Sequence, residues 1–203
     1  APEREGDSDD FRVTTRIEYT KVFRNPVFLI GCAGNSEQLS SFFEDPLCEY
    51  RWLLQDGHFP VRDRDFRVQR VRIDSEDVPV IRTENTGRGY EVWCGGEYLR
   101  EKLSRQVRVE LEIVTRTARS RRFFSVYLVY PTRGLDITFC YEGTPIASVR
   151  EVSFFAGRQP YPEITRETGR SIHLRIRDDE WVFPNSGVTF LWDDAGSERV
   201  KGQ

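Results

Sequence analysis

The chain has 203 residues, of which 38% are hydrophobic, 13% aromatic and 31% charged, and its formal net charge at pH 7 is −3. This composition is sufficient to fill a core of ordinary size, and no apolar run reaches the roughly 18 residues that a membrane helix needs. The nearly balanced charge argues against nucleic acid as a partner, because proteins that bind nucleic acid usually carry a strongly basic surface.

The basic residues comprise 27 arginines and three lysines, a ratio typical of a GC-rich bacterial genome. No Met is present, and the first ten residues are polar. We therefore expect residues 1–10 to be a disordered linker and 194–203 a flexible tail. We also expect the chain to come from a larger protein with a partner domain or membrane anchor elsewhere.

The four cysteines, Cys32, Cys48, Cys94 and Cys140, lie far apart in the sequence without a C-x-x-C pair. No N-x-[ST] glycosylation site occurs either. Because extracellular domains commonly pair their cysteines, these features favour a reducing cytoplasm. The cytosolic face of a membrane protein is the alternative.

Taken in chain order, the first element is a strand over 11–23, in which Val13, Ile17, Tyr19 and Phe23 alternate with polar residues. The least β-like part follows, an insertion over 31–63 with a helical segment near residues 35–55. Within it, Asn35 predicts a helix N-cap, with Gln38 three residues on.

The next segment contains a change of phase. Phe66 and Val68 share one parity, whereas Val71 and Ile73 share the other. One extra residue near Gln69 and Arg70 would restore a single buried face, so we predict a β-bulge there. Strands over 78–83 and 90–94 follow, joined by a turn rich in Asn and Gly.

The clearest strand covers 106–117, where Val107, Val109, Leu111 and Ile113 alternate with charged residues. A basic stretch over 116–122 predicts a hairpin at a sheet edge. The run over 123–130 is apolar at nearly every position, which is typical of a strand covered on both sides.

Further alternating runs predict strands over 135–141, 146–155, 172–176 and 188–192. Short turns separate most of these strands. The sequence therefore predicts an all-β fold with one short helix, a β-sandwich or partly open barrel of about nine or ten mostly antiparallel strands. We expect a single domain over 11–193.

The most suggestive local feature for function is the group of four arginines in the basic stretch. Guanidinium groups suit phosphates and carboxylates, so we predict an anion-binding wall at Arg116, Arg119, Arg121 and Arg122. A second concentration of arginines over 62–72 has acidic residues interleaved with it. Charged hairpin tips that protect a sheet edge are the alternative reading of the first group.

The insertion supplies the other candidate residues. Asn35 and Ser36 open the predicted helix and could present backbone N–H groups to an anion, although a plain capping turn is the simpler interpretation. Tyr50 and Trp52 could stack on a ring, or could pack in the core.

The residues favour a binding module over an enzyme. With only His58 and His173, and no close pairs of Cys or His, the sequence indicates no catalytic residue, no metal site and no cofactor. We expect a ligand-sensing or recognition domain that binds an anionic small molecule such as a nucleotide. A protein-interaction or oligomerisation module that uses a sheet edge is the alternative, and a carboxylate-based hydrolase is the third hypothesis.

Overall fold

The computed structural model describes residues 10–54, 60–156, 162–167 and 170–194. These residues divide into two compact units, of which the N-terminal unit ends at Arg119 and the C-terminal unit begins at Ser120. A single domain over 11–193 therefore stays a prediction, since compactness alone does not say which parts unfold together. The expected linker and tail lie outside the described residues, except Asp10 and Asp194, which belong to strands.

The N-terminal unit contains two four-stranded sheets, with strand orders β1-β8-β4-β5 and β3-β2-β7-β6. Its elements are β1 (Asp10–Val22), β2 (Val27–Ala33), α1 (Ser36–Glu44), β3 (Cys48–Leu53), β4 (Phe66–Ile73), β5 (Glu76–Asp77), β6 (Val80–Thr86), β7 (Gly89–Gly95), α2 (Glu97–Arg100) and β8 (Gln106–Ala118).

The core of this unit lies between the two sheets. Val109, Leu111 and Ile113 on β8 are at most 2% exposed, and they pack in one cluster with Ile30 on β2 and Val92 on β7. Each such side chain contributes roughly 2 kcal/mol to folding when it leaves water. The inward faces of two sheets thus form one sandwich.

Helix α1 forms a third layer on the outer side of the second sheet. As predicted, Asn35 caps it, since its side chain accepts a hydrogen bond from the Gln38 N–H at 2.9 Å. The expectation that 31–63 is the least β-like part was wrong for residues 31–33, which end β2, and for 48–53, which form β3 and pair with β2 in parallel. A parallel neighbour needs a crossover, and α1 provides it.

The predicted β-bulge is confirmed. The register between β4 and β8 shifts between Val68 and Arg70, so that Phe66, Val71 and Ile73 all point into the core. The predicted hairpin is confirmed as well, because β6 and β7 pair around the turn that ends at Gly89.

The C-terminal unit contains two three-stranded sheets, with strand orders β10-β13-β12 and β11-β14-β9. A short 3-10 turn, Arg119–Arg121, spans the boundary between the units. The strands are β9 (Phe123–Leu128), β10 (Thr132–Cys140), β11 (Ile146–Phe154), β12 (Glu163–Glu167), β13 (Ser171–Val182) and β14 (Ser186–Asp194).

Aromatic rings join these two sheets. Phe139 on β10 stacks on Phe190 of β14 with 4.4 Å between ring centroids, and the ring of Trp192 lies 6.4 Å from Phe139. The predicted all-β sandwich class is therefore confirmed, with open, mostly antiparallel sheets. The described residues contain fourteen strands rather than nine or ten. The additional strands are β2 and β3, which lie before and within the segment expected to be least β-like, and the short polar strands β5 and β12, which carry no hydrophobic alternation.

One strand has a different environment from the one its sequence indicates. The run over 123–130 was expected to be covered on both faces, but Tyr127 on β9 is 62% exposed, so the outward face of this strand is open there. The expectation was wrong because apolar side chains in a run do not by themselves show that both faces of the strand are covered. β9 also lies at the edge of its sheet, with β14 as its one neighbour among the described residues.

Helix α1 is held on the sheet by the fully buried ring of Phe42, which lies against a glycine. A Cβ added to Gly31 on β2 would come within 2.7 to 2.8 Å of three ring carbons of Phe42. Gly89 on β7 lies beside the same ring, where an added Cβ would be 3.1 Å from Phe42. The absence of side chains at these positions lets the helix approach closely.

We expect Gly31→Ala to lower the free energy of unfolding by about 1–3 kcal/mol, because a buried ring cannot move aside without strain. Urea unfolding measures this difference. Gly34→Ala is the matched control, since its added Cβ meets the Gln38 side chain at an ordinary 3.5 Å. Equal stability of both variants would contradict this account of the helix contact.

Candidate functional site

The outward face of the first sheet gathers arginines from three neighbouring strands. Because β8 points its apolar residues inward, its charged residues and their cross-strand partners point outward. Arg12 lies opposite Arg116, and Arg16 and Arg70 lie on either side of Glu112. Between these rows, Arg67 lies opposite Val114. We call Arg12, Arg16, Arg67, Arg70 and Arg116 the arginine face.

Most of these side chains lack an acidic partner. Arg16 pairs with Glu112 at 3.2 Å. The other four members, Arg12, Arg67, Arg70 and Arg116, form no ion pair with any residue in the described part of the chain. The arginine face therefore carries five guanidinium groups, with the carboxylate of Glu112 between two of them and that of Asp10 in the row next to Arg12 and Arg116.

The other half of the same sheet surface is balanced, which makes the imbalance local. There Arg108 contacts Glu18 at 2.6 Å, and Arg72 contacts Glu110 at 3.4 Å and Asp77 at 3.6 Å. These pairs account for the charges of the balanced half. The unpaired positive charge thus collects at the end of the sheet where β1 begins and β8 ends.

Direct opposition of Arg12 and Arg116 is unfavourable by itself, since like charges on facing positions of antiparallel strands destabilise the pair. An anion between them removes this repulsion and gains charge-assisted hydrogen bonds. Among the arginines predicted to bind an anion, Arg116 alone belongs to this face.

The predicted arginine hairpin does not form. β8 and β9 belong to different sheets, and β8 lies between β1 and β4 rather than at an edge. Arg119 ends the N-terminal unit, whereas Arg121 and Arg122 belong to the C-terminal unit, where the Arg121 guanidinium lies 4.5 Å from the ring centroid of Phe123. The prediction was wrong because a basic stretch between two strands has the same sequence pattern whether or not those two strands pair with each other.

The helix start also differs from a ready anion site. The N–H of Gly34 donates to the Gln38 side chain at 2.8 Å, and Asn35 accepts from the Gln38 N–H. The N–H groups of Gly34 and Gln38 are therefore already used by the capping turn, and anion binding at Asn35 and Ser36 stays a prediction. Beside it lies an open cleft of about 300 Å³, lined by Asn35, Glu37, Gln38, Ser41, Gly87 and Arg88. Ser36 is the first residue of α1 and does not line this cleft.

Tyr50 and Trp52 on β3 pack against the core between the sheets, with their rings stacked at 6.4 Å. Burial raises the pKa of the Tyr50 hydroxyl well above its usual range. This placement favours the core interpretation of the two rings over ligand stacking.

A partly buried polar cluster that the sequence did not indicate includes Arg88, which lines the cleft. Arg88 donates to Asp45 at 2.7 Å and to Glu91 at 3.1 Å, and Glu91, 2% exposed, also accepts hydrogen bonds from Thr86 and Trp93. This cluster ties the end of α1 to the β6-β7 hairpin. Partial burial raises the pKa of Asp45, but the hydrogen bonds and charge of Arg88 outweigh it, so the pKa is lowered.

Two further clusters place a tyrosine and a lysine beside a carboxylate. Glu49 accepts hydrogen bonds from Tyr19, at 2.7 Å, and from Lys21. At the other cluster, Lys102 lies 3.1 Å from Glu76, which also accepts from the Tyr98 hydroxyl.

The second cluster has resolved pKa shifts. Burial and the hydrogen bond to Glu76 raise the pKa of Tyr98. Burial lowers the pKa of Lys102, but its hydrogen bonds with Tyr98 and Glu76 outweigh burial and raise it. Tyr98 therefore stays protonated and Lys102 charged at neutral pH, which suits a structural ion pair better than proton transfer.

Within the described ranges, no group of three or more His, Cys, Asp or Glu side chains is placed to hold a metal ion. In that same part of the chain, none of the helices has the length and hydrophobicity to cross a membrane. Comparison with protein-family models, curated proteins and solved structures finds no match to this chain. Function must therefore be inferred from the geometry.

We expect Asp45→Asn to lower the free energy of unfolding at pH 7 by about 1 kcal/mol, because the pair with Arg88 is partly exposed. Since folding lowers the pKa of Asp45, its contribution is complete above the ordinary carboxyl pKa of about 4 and disappears as the pH falls through the lowered value. Urea unfolding of wild type and variant between pH 7 and pH 3 measures both effects.

The control is Glu44→Gln, which removes one exposed carboxylate of α1 that forms no hydrogen bond or ion pair with another described residue. It should change stability little at any pH. If the free energy of unfolding of Asp45→Asn stayed below that of wild type by the same amount at low pH, the charge of the carboxylate would not be the cause of the difference.

Proposed function

We propose that this protein is a binding module whose arginine face holds a small anionic ligand that carries several phosphate groups, such as a nucleotide. The observation that supports this proposal is the alignment, across three paired strands, of four arginines that form no ion pair with a described residue. Arginine presents a planar fork that matches phosphate oxygens and stays charged at all physiological pH values.

The spacing of the arginine face suits a chain of phosphates. Its Cα atoms lie within about 14 Å along the strands and about 10 Å across them, as strand geometry requires. A single phosphate can reach two guanidinium groups at such distances, and a triphosphate can reach more. Because the face is an open sheet surface, its affinity would come mainly from charge and would weaken as salt is added.

We further propose a cytoplasmic location and a role as one part of a larger signalling protein. All four cysteines are free, with Cys32, Cys48 and Cys94 buried and Cys140 exposed. An exposed free thiol is compatible with a reducing compartment. The location is tested by where the intact gene product is found, and the role is tested by whether the gene encodes further segments with a signalling activity.

Isothermal titration calorimetry with tripolyphosphate and with ATP tests whether the ligand is a phosphate chain. Adenosine, which has the base of ATP but no phosphate, is the control ligand. We expect the triple variant Arg12→Gln/Arg67→Gln/Arg116→Gln to weaken tripolyphosphate binding by about 1000-fold, since each of the three lost charged hydrogen bonds costs about 1.5 kcal/mol or more. Its thermal stability should be unchanged or slightly higher, because repulsion between arginines is removed.

The matched control is Arg133→Gln/Arg150→Gln/Arg175→Gln, which removes the same charge from exposed positions of the C-terminal unit. It should bind tripolyphosphate almost as wild type does. If both triple variants lost the same affinity for tripolyphosphate, net charge alone would explain the effect. Absence of binding by the wild-type protein at low salt would refute the proposal.

A further inference from the structure

Strand β9 is an edge strand without the features that usually protect an edge. Its sequence, Phe-Phe-Ser-Val-Tyr-Leu, contains no charged residue, no proline and no glycine. Its pairing with β14 runs without a register shift from Phe123 to Leu128. A sheet edge can accept a further strand, and proteins normally block edges with charges, bulges or short length.

The other sheet edges of the described structure follow that rule. The four sheets have eight edge strands, and every one except β9 carries at least one charged residue. The seven charged edge strands are β1, β3, β5, β6, β10, β11 and β12. β6, β10 and β11 also have a register shift in their pairing. Protection is thus general in this chain, and β9 is the exception.

The outward face beside this edge is also largely apolar. Tyr127 and Phe154 lie on either side of Gly187, and their rings approach to 5.5 Å across it. Ser125 bonds Thr189 at 2.9 Å in the next row, where Val152 is 51% exposed. An exposed apolar surface that continues to an unprotected edge is typical of an interaction site.

We propose that β9 pairs antiparallel with β9 of a second copy of this chain, which joins the two three-stranded sheets into one six-stranded sheet across a twofold axis. The inference concerns the C-terminal unit and is independent of the arginine face. Backbone hydrogen bonds across the new strand pair would provide affinity, and the neutral side chains would meet neutral side chains.

The flanking residues favour this occupant and this orientation. Arg121 and Arg122 directly precede β9, and Pro131 follows three residues after it. In a parallel pair, the arginines of both copies would lie side by side. In the antiparallel pair they lie at opposite ends of the strand, about 20 Å apart for six residues, so like charges are separated. A charged partner strand would gain nothing from an uncharged edge.

Light scattering coupled to size-exclusion chromatography tests the proposal over a series of protein concentrations. We expect the wild-type mass to rise toward twice that of the single chain, and Tyr127→Lys to stay at the mass of one chain, because a lysine on the edge opposes strand pairing. Val152→Lys is the matched control, with a similar exposed apolar residue on the same face but on the opposite edge strand, β11. It should dimerise as wild type does.

Hydrogen exchange of the unmodified protein keeps the test valid even if Tyr127→Lys fails to fold, which circular dichroism would reveal. Amides of residues 123–128 should exchange more slowly as concentration rises, whereas those of 146–154 should not change. A wild-type chain that is monomeric throughout, a dimer in which exchange of 123–128 is independent of concentration, or a folded Tyr127→Lys that still dimerises would each overturn the proposal.

Discussion

The alternation of side chains along β8 is the constraint on which the N-terminal unit depends. Val107, Val109, Leu111 and Ile113 must face the second sheet to leave water, and a strand can place them there only if every intervening residue faces outward. The strand is paired on both sides, so it transmits this choice to β1 and β4. Because the core requires the apolar residues of these strands to point inward, the side chains of the arginine face point outward.

The same principle explains why the charged surface divides into two halves. Rows nearest the β4-β5 turn combine acids and arginines, and their ion pairs stabilise a solvated face at little cost. The rows that contain Arg12, Arg67 and Arg116 lack those acids, although the inward packing of the same strands is just as complete. Core packing therefore does not account for the choice of arginine there, whereas the proposed anionic ligand would.

The two units differ in how their sheet edges and outer faces are covered or charged. In the N-terminal unit, one outer face is covered by α1 through Phe42 and the glycines beneath it, and every edge is charged or short. In the C-terminal unit, the face that contains Tyr127 is apolar and ends at an uncharged strand. The N-terminal unit has a surface with excess positive charge, which the proposed anion would neutralise. The C-terminal unit has an uncharged edge strand, with which the proposed neutral strand would pair.

The sequence by itself determined the all-β class, the capped helix at Asn35 and the bulge at Gln69 and Arg70, because each depends on periodicity or on a hydrogen bond between near neighbours. It also led to the prediction of Arg116 as an anion-binding residue, which the proposed function retains. Only the tertiary structure decided that Arg12 and Arg67 join Arg116, that β8 and β9 belong to different sheets, and that β3 runs parallel to β2. Strand partners are chosen by contacts between distant segments, and no local pattern of residues records which strand lies beside which.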